Sequence, residues 1–188
     1  MSLLRKLGLA SPPAGVVLDE ISLEPLAELD VGGSGGDVAA GHNAVWFTTR
    51  DDRSLSRIDP AARVETEHLE LPEEPRRVAV DARGPVVLCA RDVVVRATPD
   101  GRAVSSQAEL AEGVIDLVAE EGAIWVLRAT GSMPFDVSLL MLDGDSLAPG
   151  REVALGRSGI AGGLRTGDGV VCALVEDPPR RPRTSPDR

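Results

Sequence analysis

Apolar residues along this chain fall in short runs separated by Gly, Pro, Asp and Arg, and one of these runs recurs. Ala44-Val45-Trp46-Phe47-Thr48-Thr49-Arg50-Asp51 comes back as Val86-Val87-Leu88-Cys89-Ala90-Arg91-Asp92. A looser copy is Ile124-Trp125-Val126-Leu127-Arg128, and a fourth is Val170-Val171-Cys172-Ala173-Leu174. From Val45 the steps are 41 residues to Val86, 38 to Ile124 and 46 to Val170. A period near 40 with several apolar runs in each period predicts stacked β-units of the kind found as propeller blades.

Each period reads as four strands. In the first, from residue 37 to 71, Val38-Ala39-Ala40 is a short inner strand and Gly41-His42-Asn43 a turn. Val45-Trp46-Phe47 points apolar side chains both ways, as a strand buried on both faces requires. A charged loop over residues 48–53, a strand over 55–59 and an alternating outer strand over 64–71 complete it. The second period, residues 77–110, keeps this order and contains Thr98-Pro99-Asp100-Gly101, a hairpin turn in which Pro presets φ and Gly takes the positive φ. The third, residues 114–155, is lengthened by Thr130-Gly131-Ser132-Met133-Pro134-Phe135-Asp136, an inserted loop before a strand over 139–142. Residues 160–175 supply only the first two strands of a unit, and residues 16–31 resemble the last two. The predicted domain is residues 16–175, with residues 1–15 a flexible lead and 176–188 a disordered Pro- and Arg-rich tail.

These residues resemble the repeats of virginiamycin B lyase-like and related YncE/NHL-type β-propellers. Trp46-Phe47-Thr48 followed by Leu55-Ser56-Arg57-Ile58-Asp59-Pro60 carries the likeness, with Arg96-Ala97-Thr98-Pro99-Asp100-Gly101 in the next period. The resemblance covers about residues 37–155, and it departs from the family pattern at Pro60-Ala61-Ala62, which lacks the turn glycine. The expected fold class is all-β, a small propeller-like domain of four blades closed by pairing N- and C-terminal strands, or an open partial propeller. Propellers run from about 4 to 8 blades, so a four-bladed ring is permitted. The ring closed on itself gives a monomer; two half-rings completing each other give a homodimer.

Composition narrows the function classes. The chain carries 30 acidic and 20 basic residues, a net charge of −10, which leaves counterion release on nucleic acid little to work with. With two Trp, two Phe and no Tyr it is poor in the aromatic platforms on which bases or sugars stack. Arg5 and Lys6 break up the N-terminal apolar residues, so no signal-peptide core of about 7–15 apolar residues forms. No stretch reaches the ~20 apolar residues that span a bilayer. A cytoplasmic protein that binds neither nucleic acid nor membrane is the expectation. Cys89 and Cys172 lie inside apolar runs and are expected to be inert core thiols.

Candidate chemistry is sparse. The Gly32-Gly33-Ser34-Gly35-Gly36 joint lacks the ending of a phosphate-binding loop. The resemblance implies, as an alternative, a streptogramin lyase-like or sugar-lactone hydrolase-like enzyme using His and acidic residues with a divalent metal. His42, in a turn, and His68, on an outer strand, match no such motif. Asp37 and Asp116 occupy equivalent inner-strand starts, with Val78 at that place in the second period. No catalytic residue, metal ligand or cofactor is assigned. Arg50-Asp51 and Arg91-Asp92, with Arg128 one place from the matching position, close the second strands of successive units. They make either a recognition face, arginine being suited to bidentate carboxylate contacts, or a ring of ion pairs between blades. Met133 and Phe135 are candidate apolar anchors on the same end, or a plug of the ring. The expected function is a non-catalytic binding or scaffold module for a protein or small anionic ligand.

Overall fold

A computed structural model of the chain describes residues 14–18, 25–30, 34–120, 122–167 and 169–176. It is built almost wholly of antiparallel strands. The first blade contains β3 (Gly35–Gly41), β4 (Ala44–Thr49), β5 (Ser54–Asp59) and β6 (Val64–Glu70), hydrogen-bonded in that order. The second contains β7 (Pro75–Asp81), β8 (Gly84–Cys89), β9 (Val93–Ala97) and β10 (Val104–Glu109); the third contains β11 (Val114–Glu120), β12 (Ala123–Thr130), β13 (Phe135–Asp143) and β14 (Pro149–Ser158). Before them lies the hairpin pair β1 (Ala14–Leu18) and β2 (Pro25–Asp30), and after them β15 (Ile160–Gly167) and β16 (Val170–Glu176). The lead and tail expected at the two ends fall mostly outside the described residues, while strand begins at Ala14 and continues to Glu176.

Closure by the terminal strands is not what the structure shows. Among the described residues β1 pairs only with β2, and β15 only with β16, as two separate two-stranded sheets. The inner strands β3, β7, β11 and β15 pack against one another in sequence. Among the described residues three full blades therefore stand in an arc, with the half-sheet β15–β16 packed after them and β1–β2 forming a sheet of its own.

Three apolar clusters fill the spaces between blades. Trp46, Leu55, Val87 and Val95 lie in the first, between blades one and two. Val86, Leu88, Leu117, Val126 and Leu142 fill the second. Leu127, Val137 and Leu164 form the third, against β15 and β16. Strands β8 and β9 are buried along their whole length because they serve two clusters at once.

The strand pairing also corrects the repeat register. Ala39 faces Trp46, Ala79 faces Val86, Val118 faces Trp125 and Arg165 faces Cys172. Trp46 thus corresponds to Val86, one residue away from the spacing that the sequence suggests. Each inner strand carries one extra residue near its start, a β-bulge. Trp125 is only half-buried where Trp46 is fully buried, because two strands cover it instead of four. Cys89 is buried as expected, but Cys172 is exposed on β16. The loop expected over residues 130–136 shrinks to residues 131–134, since β12 runs to Thr130 and β13 begins at Phe135.

Candidate functional site

In an antiparallel blade the turn between the second and third strands and the joint into the blade lie at the same end. Backbone bonds fasten them together here: Arg50 N donates to Ser34 O (3.1 Å), Ala90 N to Glu74 O (2.7 Å) and Ala129 N to Gly113 O (2.8 Å). This places Arg50, Asp51, Arg91, Asp92, Arg128 and the Met133 turn at one end of the arc. Arg50 and Arg91 are not strict equivalents, because Arg50 matches Ala90 in these bonds.

The charges at this end are partnered. Arg50 Nε lies 4.0 Å from Glu74 Oε1, and Arg91 Nη1 lies 3.0 Å from Glu73 Oε1. Asp51 Oδ2 accepts from Ser34 N at 2.9 Å, and Asp92 Oδ2 from Gly113 N at 2.9 Å with Arg76 Nη1 3.5 Å from its other oxygen. These pairs tie turns to blade joints, and exposed pairs of this kind contribute at most ~1 kcal/mol each. Arg128 is more enclosed: Nη1 donates to Glu152 Oε1 (3.0 Å), which also accepts from Ser138 Oγ (2.5 Å).

Beside Arg128, the third blade carries two adjoining clefts. One, of about 550 Å³, is lined by Thr130, Asp136, Ser138, Glu152, Ala154 and Arg157; the other, of about 360 Å³, by Glu112, Gly113, Arg128 and Thr130. The turn joining Thr130 to Asp136 holds Met133, which is 69% exposed. Its Met133–Pro134 peptide is cis, and Arg157 Nη2 donates to Pro134 O at 2.9 Å. The two sequence anchors therefore part company, since Phe135 lies half-buried against the third core cluster.

The remaining polar residues serve the scaffold. Asp37 Oδ2 accepts from Val78 N of the next blade (3.0 Å), and Asp116 Oδ2 accepts from Leu164 N of β15 (2.8 Å). Arg77, which stands at the matching place in β7, lies 3.5 Å from Asp116 Oδ1. His42 Nε2 lies 2.6 Å from Ala82 O across the first blade gap, and His68 Nδ1 lies near Ser56 Oγ and Glu65 Oε1. Among the described residues no group of three His, Cys, Asp or Glu side chains could hold a metal ion.

Sequence reasoning missed the most buried charges. The side chains of Asp81 and Arg96, each 3% exposed, form a bidentate pair at 2.8 and 2.9 Å. Burial works against the ionised carboxyl, but hydrogen bonds from Arg96 and from Arg83 N outweigh it and hold Asp81 below the usual carboxylate range. Only an aspartate closing one strand and an arginine inside an apolar one signalled the pair.

No protein-family model matches the chain, and no curated protein does. Among solved structures it is similar to BamB from Moraxella catarrhalis, with 14% identity over 86% of this chain and 48% of that one, and a TM-score of 0.68. It is similar also to the computationally designed Ika4 protein, with 12% identity over 76% of this chain and 86% of that one, at a TM-score of 0.62. Kuenenia stuttgartiensis hydrazine synthase matches at 12% identity over 81% of this chain and 45% of that one, with a TM-score of 0.64. The chain spans about half the length of the BamB and hydrazine synthase chains. BamB and the designed protein are β-propellers. At these identities the likeness shows the fold alone, and the chain is an all-β, propeller-like array of antiparallel blades.

Proposed function

We propose that the chain is a non-catalytic binding module that recognises a protein segment at the end carrying the β4–β5, β8–β9 and β12–β13 turns. The observation that carries this reading is on the third blade, where exposed Met133 sits in the turn joining Thr130 to Asp136, two residues that line a cleft bearing both signs of charge, Asp136, Glu152 and Arg157. An apolar anchor flanked by a polar rim is the arrangement through which protein interfaces gain most of their affinity. Mixed charge favours a peptide over a small anion, because Glu152 and Asp136 would repel the latter. The lyase- or hydrolase-like activity implied by the repeat resemblance would draw on a divalent metal. It predicts a chelator-sensitive melting temperature, whereas the binding reading expects none.

The test is selection of binders from a random peptide display library, followed by titration against Met133→Asp and Arg157→Glu. Both changes lie on exposed positions and should leave the fold intact. The expected result is at least tenfold weaker binding of the selected peptides by each variant. Unchanged affinity in both, or melting lowered by chelator, would overturn the reading.

A further inference from the structure

The two ends of the arc expose apolar positions that every interior blade buries. Val38 of β3 corresponds to Val78, Leu117 and Leu164, which are buried against the preceding blade. In β3 nothing precedes it among the described side chains, and Val38 is 59% exposed. At the other end Leu174 of β16 corresponds to Leu88 and Leu127, both fully buried against the following blade, yet Leu174 is 61% exposed. Val170 and Cys172 stand on the same side of β16 and are exposed too. The interior shows what covers such a face. Leu88 shares a cluster with Leu117, and Leu127 shares one with Leu164. By the same register, Leu174 calls for a residue at the place of Val38.

The strand count gives the same answer. Among the described residues the sheet β15–β16 has the inner two strands of a blade and leaves the edge of β16 unpaired, while β1–β2 is a two-stranded sheet that comes just before the inner strand β3 in the chain. We propose that this chain self-associates, with β1–β2 of a second copy extending β16 of the first and that copy's β3 face, centred on Val38, packing on Leu174. Two copies in this relation make two equivalent contacts about a two-fold axis. Each copy brings three blades and two halves, so the pair closes a ring of about eight, the upper end of the propeller range. Strand addition to an open edge supplies backbone hydrogen bonds, and the apolar faces supply burial. This surface is separate from the peptide-binding end.

The experiment uses the full chain in sedimentation equilibrium, with charge swaps at the two facing positions. Wild type should sediment at twice the chain mass, and Leu174→Asp and Val38→Arg should each sediment as folded monomers. An equimolar mixture of the two variants should regain the dimer, because one contact is then wild type and the other pairs Asp with Arg. In the wild type, modification of Cys172 by a thiol reagent should slow at least tenfold between dilute and concentrated protein. A wild type that stays monomeric at all concentrations, with Cys172 protected throughout, would overturn the proposal in favour of closure within one chain. A dimer unaffected by either variant, or a mixture that stays monomeric, would overturn it as well, by moving the contact elsewhere.

Discussion

Breaking the Asp81–Arg96 pair removes one member of two charges that are both 3% exposed. Arg96→Ala strands a carboxylate in the wall of the second blade, and such a change costs about 3–5 kcal/mol. Urea unfolding should show this loss at neutral pH. The pH dependence follows from the lowered Asp81 value. The pair's contribution is present above the unfolded carboxyl value of about 4 and fades as pH falls through the lower folded value. Asp81→Asn should therefore flatten stability against pH below about pH 4 as well as lowering it at pH 7. The cysteines make a second residue-level contrast. Burial, with the nearby Glu73 charge, pushes the Cys89 thiol up to about 12, so it should resist alkylation at neutral pH. Dilute native protein should take up one equivalent of reagent, at Cys172. Both cysteines sit in similar apolar runs, so their different exposure could not be read from sequence. It depends on whether a further sheet covers the strand.

At the level of elements, the existence and order of strands were legible because turn residues punctuate the apolar runs at a regular period. Register was not. Strands such as β8 are buried on both faces, so Val86, Val87 and Leu88 carry no alternation to say which residue faces which neighbour. The turn over residues 50–53 is also one residue longer than that over residues 90–92, so equivalent positions stand 40 apart before the turn (Trp46 and Val86) and 39 apart after it (Arg57 and Arg96), and no single period aligns the two units. Turn chemistry was partly legible: Gly101 has φ +78, as the Pro-Asp-Gly sequence predicts. The first blade lacks that glycine and instead places Arg63 at φ +58, with Asp59 Oδ1 accepting from Ala61 N and Ala62 N. Gly101 also lies against the preceding blade, where an added Cβ would stand 2.9 Å from the Trp46 ring. Gly101→Ala therefore combines a strained φ with a clash and should destabilise by more than about 1 kcal/mol. The bond from Val78 N to Asp37 is a further link between blades. Asp37→Ala leaves that N–H without its acceptor and should cost about 1–3 kcal/mol. Asp37→Asn keeps an oxygen there and should recover most of the loss; equal losses in the two variants would show that the bond matters little.

Across the whole molecule, stability should be graded along the arc, because each blade is stabilised mainly by its neighbours, as in other repeat architectures. The second blade has a cluster on each side, and all side chains of β8 and β9 are buried. The third blade is covered on one side by only two strands, and the outer side of β16 presents Val170, Cys172 and Leu174 to solvent. Local opening should start where few apolar contacts are lost, so free energies of opening rise from the ends toward the middle. Native-state hydrogen exchange checks this directly. In dilute protein the slowest amides should be those of β8 and β9, exchanging only through global unfolding, with β12 faster and β16 faster still. Trp46→Ala removes a fully buried ring from the first cluster and should cost about 3–5 kcal/mol. Because that cluster also supports β8, the mutation should lower the protection of the second blade along with that of the first. Raising the protein concentration should then slow exchange at β16 selectively, if a second copy pairs with its edge. Uniform protection along the chain at every concentration would contradict the gradient, and would mean that the arc unfolds as one cooperative unit despite its uncovered ends.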